Sequence, residues 1–79
     1  MAEPIAIIEK NTQEDVRVTL DEYSGHQLID VRTFVDFKSG NTEGRGPTKK
    51  GVSLKVEKLP ALIAALEDAR SEAERRGLL

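Results

Sequence analysis

Polar and apolar residues alternate along the first two-thirds of the chain, and the period then changes from two to about three and a half. Ile5 to Lys10 is a short β-branched run behind Pro4, with the look of an edge strand (5–10). A polar, turn-like stretch, Asn11 to Asp15, follows. From Val16 to Glu22, Val16, Val18 and Leu20 fall on one face and Arg17, Thr19 and Asp21 on the other, which predicts a half-buried strand over 16–22. Ser24-Gly25 supplies a tight turn. The longest strand is expected over 27–37. Period two puts Ile29, Val31, Thr33, Val35 and Phe37 on an apolar face, and Leu28, Asp30, Arg32, Phe34 and Asp36 on a mixed one. Three glycines and a proline in residues 38–47 read as a long hairpin loop. Val52, Leu54 and Val56 then alternate with Ser53 and Lys55, a fourth strand over 50–56. From residue 57 the apolar positions Leu59, Leu62, Ile63, Leu66, Ala69 and Ala73 recur three and four apart, predicting a helix over 57–76. Pro60 in its first turn and Gly77 just past its end agree with those limits. Arg70–Glu74 and Glu72–Arg76 are candidate i,i+4 pairs on its last turns.

The pattern is four strands and then one helix, an α+β chain without visible internal repeats. With 79 residues it makes one domain, 1–79. So short a chain buries little of its surface, and its single core is marginal. Without cysteine it has neither disulfides nor a thiolate metal site, and its single histidine, His26, builds no metal cluster. Oligomerisation is the remaining common source of stability, and a homodimer is expected. No stretch approaches the ~20 apolar residues of a membrane span. The start MAEPIAII lacks the basic residues and long apolar core of a secretory signal, so a cytoplasmic protein without membrane contact is expected.

The formal charge of -2 conceals an uneven distribution. Residues 1–37 carry eight acids and three bases. Residues 38–58 carry six bases (Lys38, Arg45, Lys49, Lys50, Lys55 and Lys58) against Glu43 and Glu57. Positive charge gathered in one segment is what a local anion footprint requires, although a solvated loop with ordinary lysines gives the same count.

No catalytic chemistry is legible. The chain has no Ser/His/acid grouping, no phosphate-cradling glycine motif and no metal-ligand spacing, so neither an enzyme nor a cofactor is expected. Asp30 and Asp36 share a strand face with Arg32 and read as ion-pair or edge-protecting residues. What remains is a sheet face with cations and rings: parity lets Arg17, Tyr23, Arg32 and Phe34 project from one side, with Lys49, Lys50 and Lys55 on the adjoining strand or its entrance. Single-stranded nucleic acid is bound by such a combination, cations following phosphates and rings stacking bases. Use of Phe34 and Tyr23 in a core or dimer contact is the competing reading.

The residues GHQLIDVR (25–32), the aromatic Phe34, PTKKGVSL (47–54) and the helical LPALIAALEDA (59–69) together resemble the C-terminal domain of the transcriptional coactivator positive cofactor four. The resemblance is closest to the short bacterial and phage-type members and spans about residues 16–70. It implies a curved four-stranded antiparallel sheet followed by one long C-terminal helix, a fold shared with the whirly proteins. It also implies homodimers formed through the helices, here Leu59, Leu62, Ile63 and Leu66, whose paired sheet ridges bind single-stranded DNA. By position it assigns base stacking to Tyr23, an arginine of the second ridge to Arg32, and the basic pair before the glycine to Lys49 and Lys50. The family's second stacking aromatic falls on Val35, and its basic residues around the first hairpin fall on Asp21, Ser24 and His26. Weaker binding, or stacking by Phe34 instead, is implied.

The expected function is that of a single-stranded DNA-binding homodimer, a transcription coactivator-like regulator or protector of exposed strands, associated with the nucleoid if the source is bacterial. Its candidate nucleic-acid contacts are Arg17, Tyr23, His26, Arg32, Phe34, Lys38, Arg45, Lys49 and Lys50. RNA, melted duplex and the transcription machinery are further candidate partners. Two rivals remain. One is a dimeric protein-interaction module with little nucleic-acid binding, favoured by Val35 and Asp21. The other is a duplex DNA or RNA binder using the same ridge.

Overall fold

A computed structural model describes residues 4–36 and 44–79. Four strands form one open antiparallel sheet in sequence order: β1 (Ala6–Glu9), β2 (Glu14–Tyr23), β3 (His26–Asp36) and β4 (Arg45–Lys55). A single 3-10 turn (Val56–Lys58) leads into one helix, α1 (Leu59–Arg75).

Local chemistry accounts for where the elements begin and end. Asn11 Oδ1 accepts the backbone N–H groups of Gln13 (2.9 Å) and Glu14 (2.8 Å), an Asx turn that starts β2 at Glu14, two residues before the expected position. Tyr23 is paired with His26, and the two residues between them turn with positive φ, 52° at Ser24 and 79° at Gly25. Primed turns of this kind match the twist of paired strands. β4 also begins early, at Arg45 rather than residue 50. Arg45, Gly46 and Pro47, expected in a loop, lie opposite Asp36, Val35 and Phe34. Pro47 is tolerated because β4 is the sheet's outer strand, where a missing N–H need not break a ladder. The expected strand residue Phe37 and the loop residues 38–43 lie outside the described residues. Gly77 (φ 75°) closes the helix in a Schellman motif: its N–H donates to the Glu74 carbonyl (3.0 Å) and that of Leu78 to the Ala73 carbonyl (2.8 Å). Glu72 pairs with both Arg76 and Arg75, whereas Arg70 and Glu74 form no ion pair among the described residues.

The register confirms two distinct faces. Val16, Val18, Leu20, Ile29, Val31, Val52 and Leu54 share one; Asp15, Arg17, Thr19, Asp21, Tyr23, His26, Leu28, Asp30, Arg32 and Phe34 share the other. The sequence pattern predicts that the helix covers the apolar face, and the structure corrects this. α1 leaves the outer strand β4 through one 3-10 turn and has no buried residue. Leu59 and Leu62 are half-buried, while Ile63 and Leu66 are exposed, Leu66 by 61%. Ile29 is the one buried apolar residue among those described, at 4% exposure between Leu20 and Leu54. Ile8, Leu20, Val52 and Val56 remain open. The accessible surface is 6238 Å², against roughly 4,700 Å² for a folded monomer of this mass. The radius of gyration is 14.5 Å, against about 12 Å for a compact domain of this length.

Candidate nucleic-acid interface

The polar face is organised around carboxylates. Asp15, 2% exposed, accepts Arg17 Nε on one oxygen (2.8 Å) and Arg17 Nη2 (3.3 Å) and Arg45 Nη1 (2.7 Å) on the other. Arg45 also donates through Nη2 to the Thr12 carbonyl (2.8 Å), tying the start of β4 to the turn before β2 across the intervening strand. The Arg17 guanidinium lies over the Phe34 ring, 4.5 Å from its centroid. The hydrogen bond from Arg17, aided by that from Arg45 and by both positive charges, holds the Asp15 carboxyl below the usual range even though burial opposes it.

A second fork repeats the arrangement one strand over. Arg32 donates through Nε and Nη2 to the two oxygens of Asp30 (3.0 and 2.8 Å) and through Nη1 to the Thr48 carbonyl (3.0 Å). The Asp30 hydrogen bonds raise the Arg32 pKa above its ordinary value. Arg17 and Arg32 are direct cross-strand partners, a like-charge pairing that disfavours a sheet unless each charge is compensated. Each has its own aspartate two residues earlier on the same strand face. The tripeptide Asp-Val-Arg occurs at both 15–17 and 30–32, and this repeated spacing is the signal by which Asp15 and Asp30 could have been recognised as parts of the face.

Arg17, Arg32 and Arg45, candidate phosphate contacts by sequence, are thus committed to carboxylates, and one face of the Phe34 ring is already covered by Arg17. The outer strand differs. Between Arg32 and Phe34 the register slips, so that β4 spends three residues, Thr48, Lys49 and Lys50, opposite Thr33. Thr48 bridges this bulge: its hydroxyl donates to the Thr33 carbonyl (2.8 Å) and accepts from the Lys50 N–H (3.2 Å). Gly51 closes it, because a Cβ there would lie 2.5 Å from the Val31 carbonyl oxygen and 2.8 Å from the Arg32 Cα. Lys49 and Lys50 are exposed and form no ion pair among the described residues. Tyr23, 72% exposed, stands with exposed His26 at the hairpin end of the same polar face. The structure therefore divides the candidates into a self-paired group (Arg17, Arg32, Arg45, with Phe34 beneath) and an open group (Tyr23, His26, Lys49, Lys50). Lys38 lies outside the described residues. Among the described residues no cluster of His, Cys, Asp and Glu could hold a metal, and no helix is long and apolar enough to cross a membrane.

The family model described as Transcriptional Coactivator p15 (PC4) matches residues 10–65. Two crystal forms of a PC4 homologue from Burkholderia pseudomallei have similar structures. The orthorhombic form is 29% identical, with TM-score 0.77 over 87% of this chain and 89% of that one. The tetragonal form is 28% identical, with TM-score 0.78 over 89% and 98%. A bacteriophage T5 homologue of the eukaryotic coactivator PC4, implicated in recombination-dependent DNA replication, is 27% identical with TM-score 0.71 over 92% of this chain and 81% of that one. No curated protein matches the sequence.

Proposed function

Since this chain belongs to the PC4 family of transcriptional coactivator p15 proteins, we propose that it is a DNA-binding homodimer that takes single strands across the polar face of its sheet. The observation that carries this reading is the open group of Tyr23, His26, Lys49 and Lys50. Lys49 and Lys50, exposed and without an ion pair among the described residues, stand at a bulge of the outer strand, and an exposed tyrosine stands at the hairpin end of the polar face; phosphate contacts together with a stacking platform are what unpaired strands need. The one α-helix among the described residues follows the outer strand and carries the apolar stripe Leu59, Leu62, Ile63 and Leu66, which a second copy would cover, so it is not free to enter a major groove. Dimerisation is supported by the open apolar face and by the roughly 1,500 Å² of surface beyond that of a folded monomer of this mass. The stripe and that face would be covered together by a second copy. The protein would act without catalysis, in the cytoplasm or on the nucleoid, as a coactivator-like regulator or protector where strands are exposed.

The test is a titration of labelled single-stranded and duplex oligonucleotides at two salt concentrations. Single strands should bind more tightly. Replacing both Lys49 and Lys50 with Ala should weaken binding to all sequences alike and reduce the log–log salt slope by ~0.7 per lost single-strand contact. Tyr23→Ala should cost ~1–3 kcal/mol of single-strand affinity while Tyr23→Phe stays near wild type, because stacking uses the ring face. Displacement of single strand by an equal length of duplex at matched salt would transfer the reading to duplex binding.

A further inference from the structure

The facing Arg17 and Arg32 are the strongest cations on the polar face by position, yet both are closed into carboxylate forks. A guanidinium whose Nε and one Nη are held by its own aspartate presents its plane, and a plane suits a base better than a phosphate. Duplex DNA offers a protein mainly phosphates, whereas an unpaired strand also offers base faces. We propose that Asp30 is a specificity-determining residue: by holding Arg32 in a fork, as Asp15 holds Arg17, it withdraws that charge from phosphate contact and leaves a guanidinium plane for stacking, so that the face accepts unpaired strands and disfavours duplex. This inference rests on the single-strand reading above and deepens it, adding selection by internal carboxylates to binding by the open lysines.

Asp30 is the better place to test it. Its side chain is 20% exposed, so removing its charge leaves Arg32 in contact with water, whereas Asp15 is buried between two arginines. Asp30→Asn keeps the shape and removes the negative charge that pairs Arg32, leaving it neutral acceptors such as the Thr48 carbonyl. The control is Asp21→Asn, which removes one negative charge from the same face at an exposed residue whose one side-chain hydrogen bond among the described residues is accepted from the Glu22 backbone N–H (2.8 Å). Wild type and both variants are titrated with a single-stranded oligonucleotide and its duplex across a salt series, with folding checked by circular dichroism. For Asp30→Asn, duplex affinity should rise on the order of tenfold, as for one added charge-assisted contact, with the duplex salt slope steeper by ~0.9. Single-strand affinity should rise less, so the preference for single strands falls. Asp21→Asn should leave that preference unchanged. Equal effects of the two substitutions, or an unchanged preference in Asp30→Asn, would overturn the inference while leaving the single-strand reading in place. Failure of the wild-type chain to bind single strands would overturn that reading, and this inference with it.

Discussion

The two faces of the sheet have exchanged the roles that faces usually play in a small soluble domain. The polar face pairs its own charges: Asp15 is almost completely buried, three arginines are tied to two aspartates, and Thr48 stitches the bulge to β3. The apolar face does not. It buries Ile29 and leaves Ile8, Leu20 and Val52 open, beside a helix whose Ile63 and Leu66 are open as well. Under the proposed homodimer, the hydrocarbon that the single chain leaves exposed is the surface a second copy would cover. The contrast also separates two kinds of cation: those paired with aspartates within the sheet and those left exposed at the outer strand.

The largest expected effect comes from putting charge on the apolar side. Leu66→Glu places a carboxylate in the stripe that a second copy would cover, and an ion desolvated there costs several kcal/mol. If the proposed homodimer is obligate, the expected outcome is dissociation together with unfolding. Sedimentation and circular dichroism at micromolar concentration check it. A wild-type chain that sediments as a folded monomer at that concentration would show that the open face is tolerated in water.

Breaking the polar side should cost somewhat less. Asp15→Asn leaves Arg17 and Arg45 without their shared anion, and breaking a buried pair in this way costs ~3–5 kcal/mol. Urea midpoints at fixed protomer concentration measure it. The same residue predicts an acid limb. The Asp15 carboxyl is held below its ordinary value in the fold, so its contribution is fully present above the ordinary carboxylate range and is lost as pH falls through that range toward the folded value. Wild-type stability should therefore decline below about pH 4, and this decline should be shallower in Asp15→Asn. An equally steep decline in the variant would assign the acid limb to other carboxylates.

The faces were legible in the sequence to different depths. Period two placed the strands and sorted Val16, Val18, Ile29 and Val31 from Arg17, Arg32 and Phe34, because alternation follows from the pleat alone. The helix was legible for the same reason at its own period. What a strand's residues do with one another across the sheet was not. Arg17, Arg32 and Arg45 count as basic residues in any composition, and their neutralisation depends on register and on a contact between residues 15 and 45. The start of β4 was hidden because Arg45-Gly46-Pro47 has loop composition, and the Arg45–Asp15 ion pair overrides that propensity. The uncovered apolar face was hidden as well: periodicity tells which side is apolar, not what covers it.

The smallest effect is the most discriminating, because it runs the same chemical exchange in opposite directions on the two faces. Val52→Thr puts a hydroxyl on the apolar face opposite Val31 and keeps the branched shape and strand preference of valine. Thr19→Val removes a hydroxyl from the polar face opposite Asp30. If a second copy covers the apolar face, the Val52→Thr hydroxyl is buried without a partner and should cost ~1–3 kcal/mol. The urea midpoint would fall, and fall further as the protein is diluted, because the loss sits at the interface. Thr19→Val touches a half-exposed position that makes no side-chain hydrogen bond among the described residues, so its change should stay within about 0.5 kcal/mol at any concentration. A neutral Val52→Thr at all concentrations would mean that this part of the sheet faces water in the working protein. The covering contact would then have to lie on the helix stripe alone, and the asymmetry between the faces would belong to the single chain and its assembly alike.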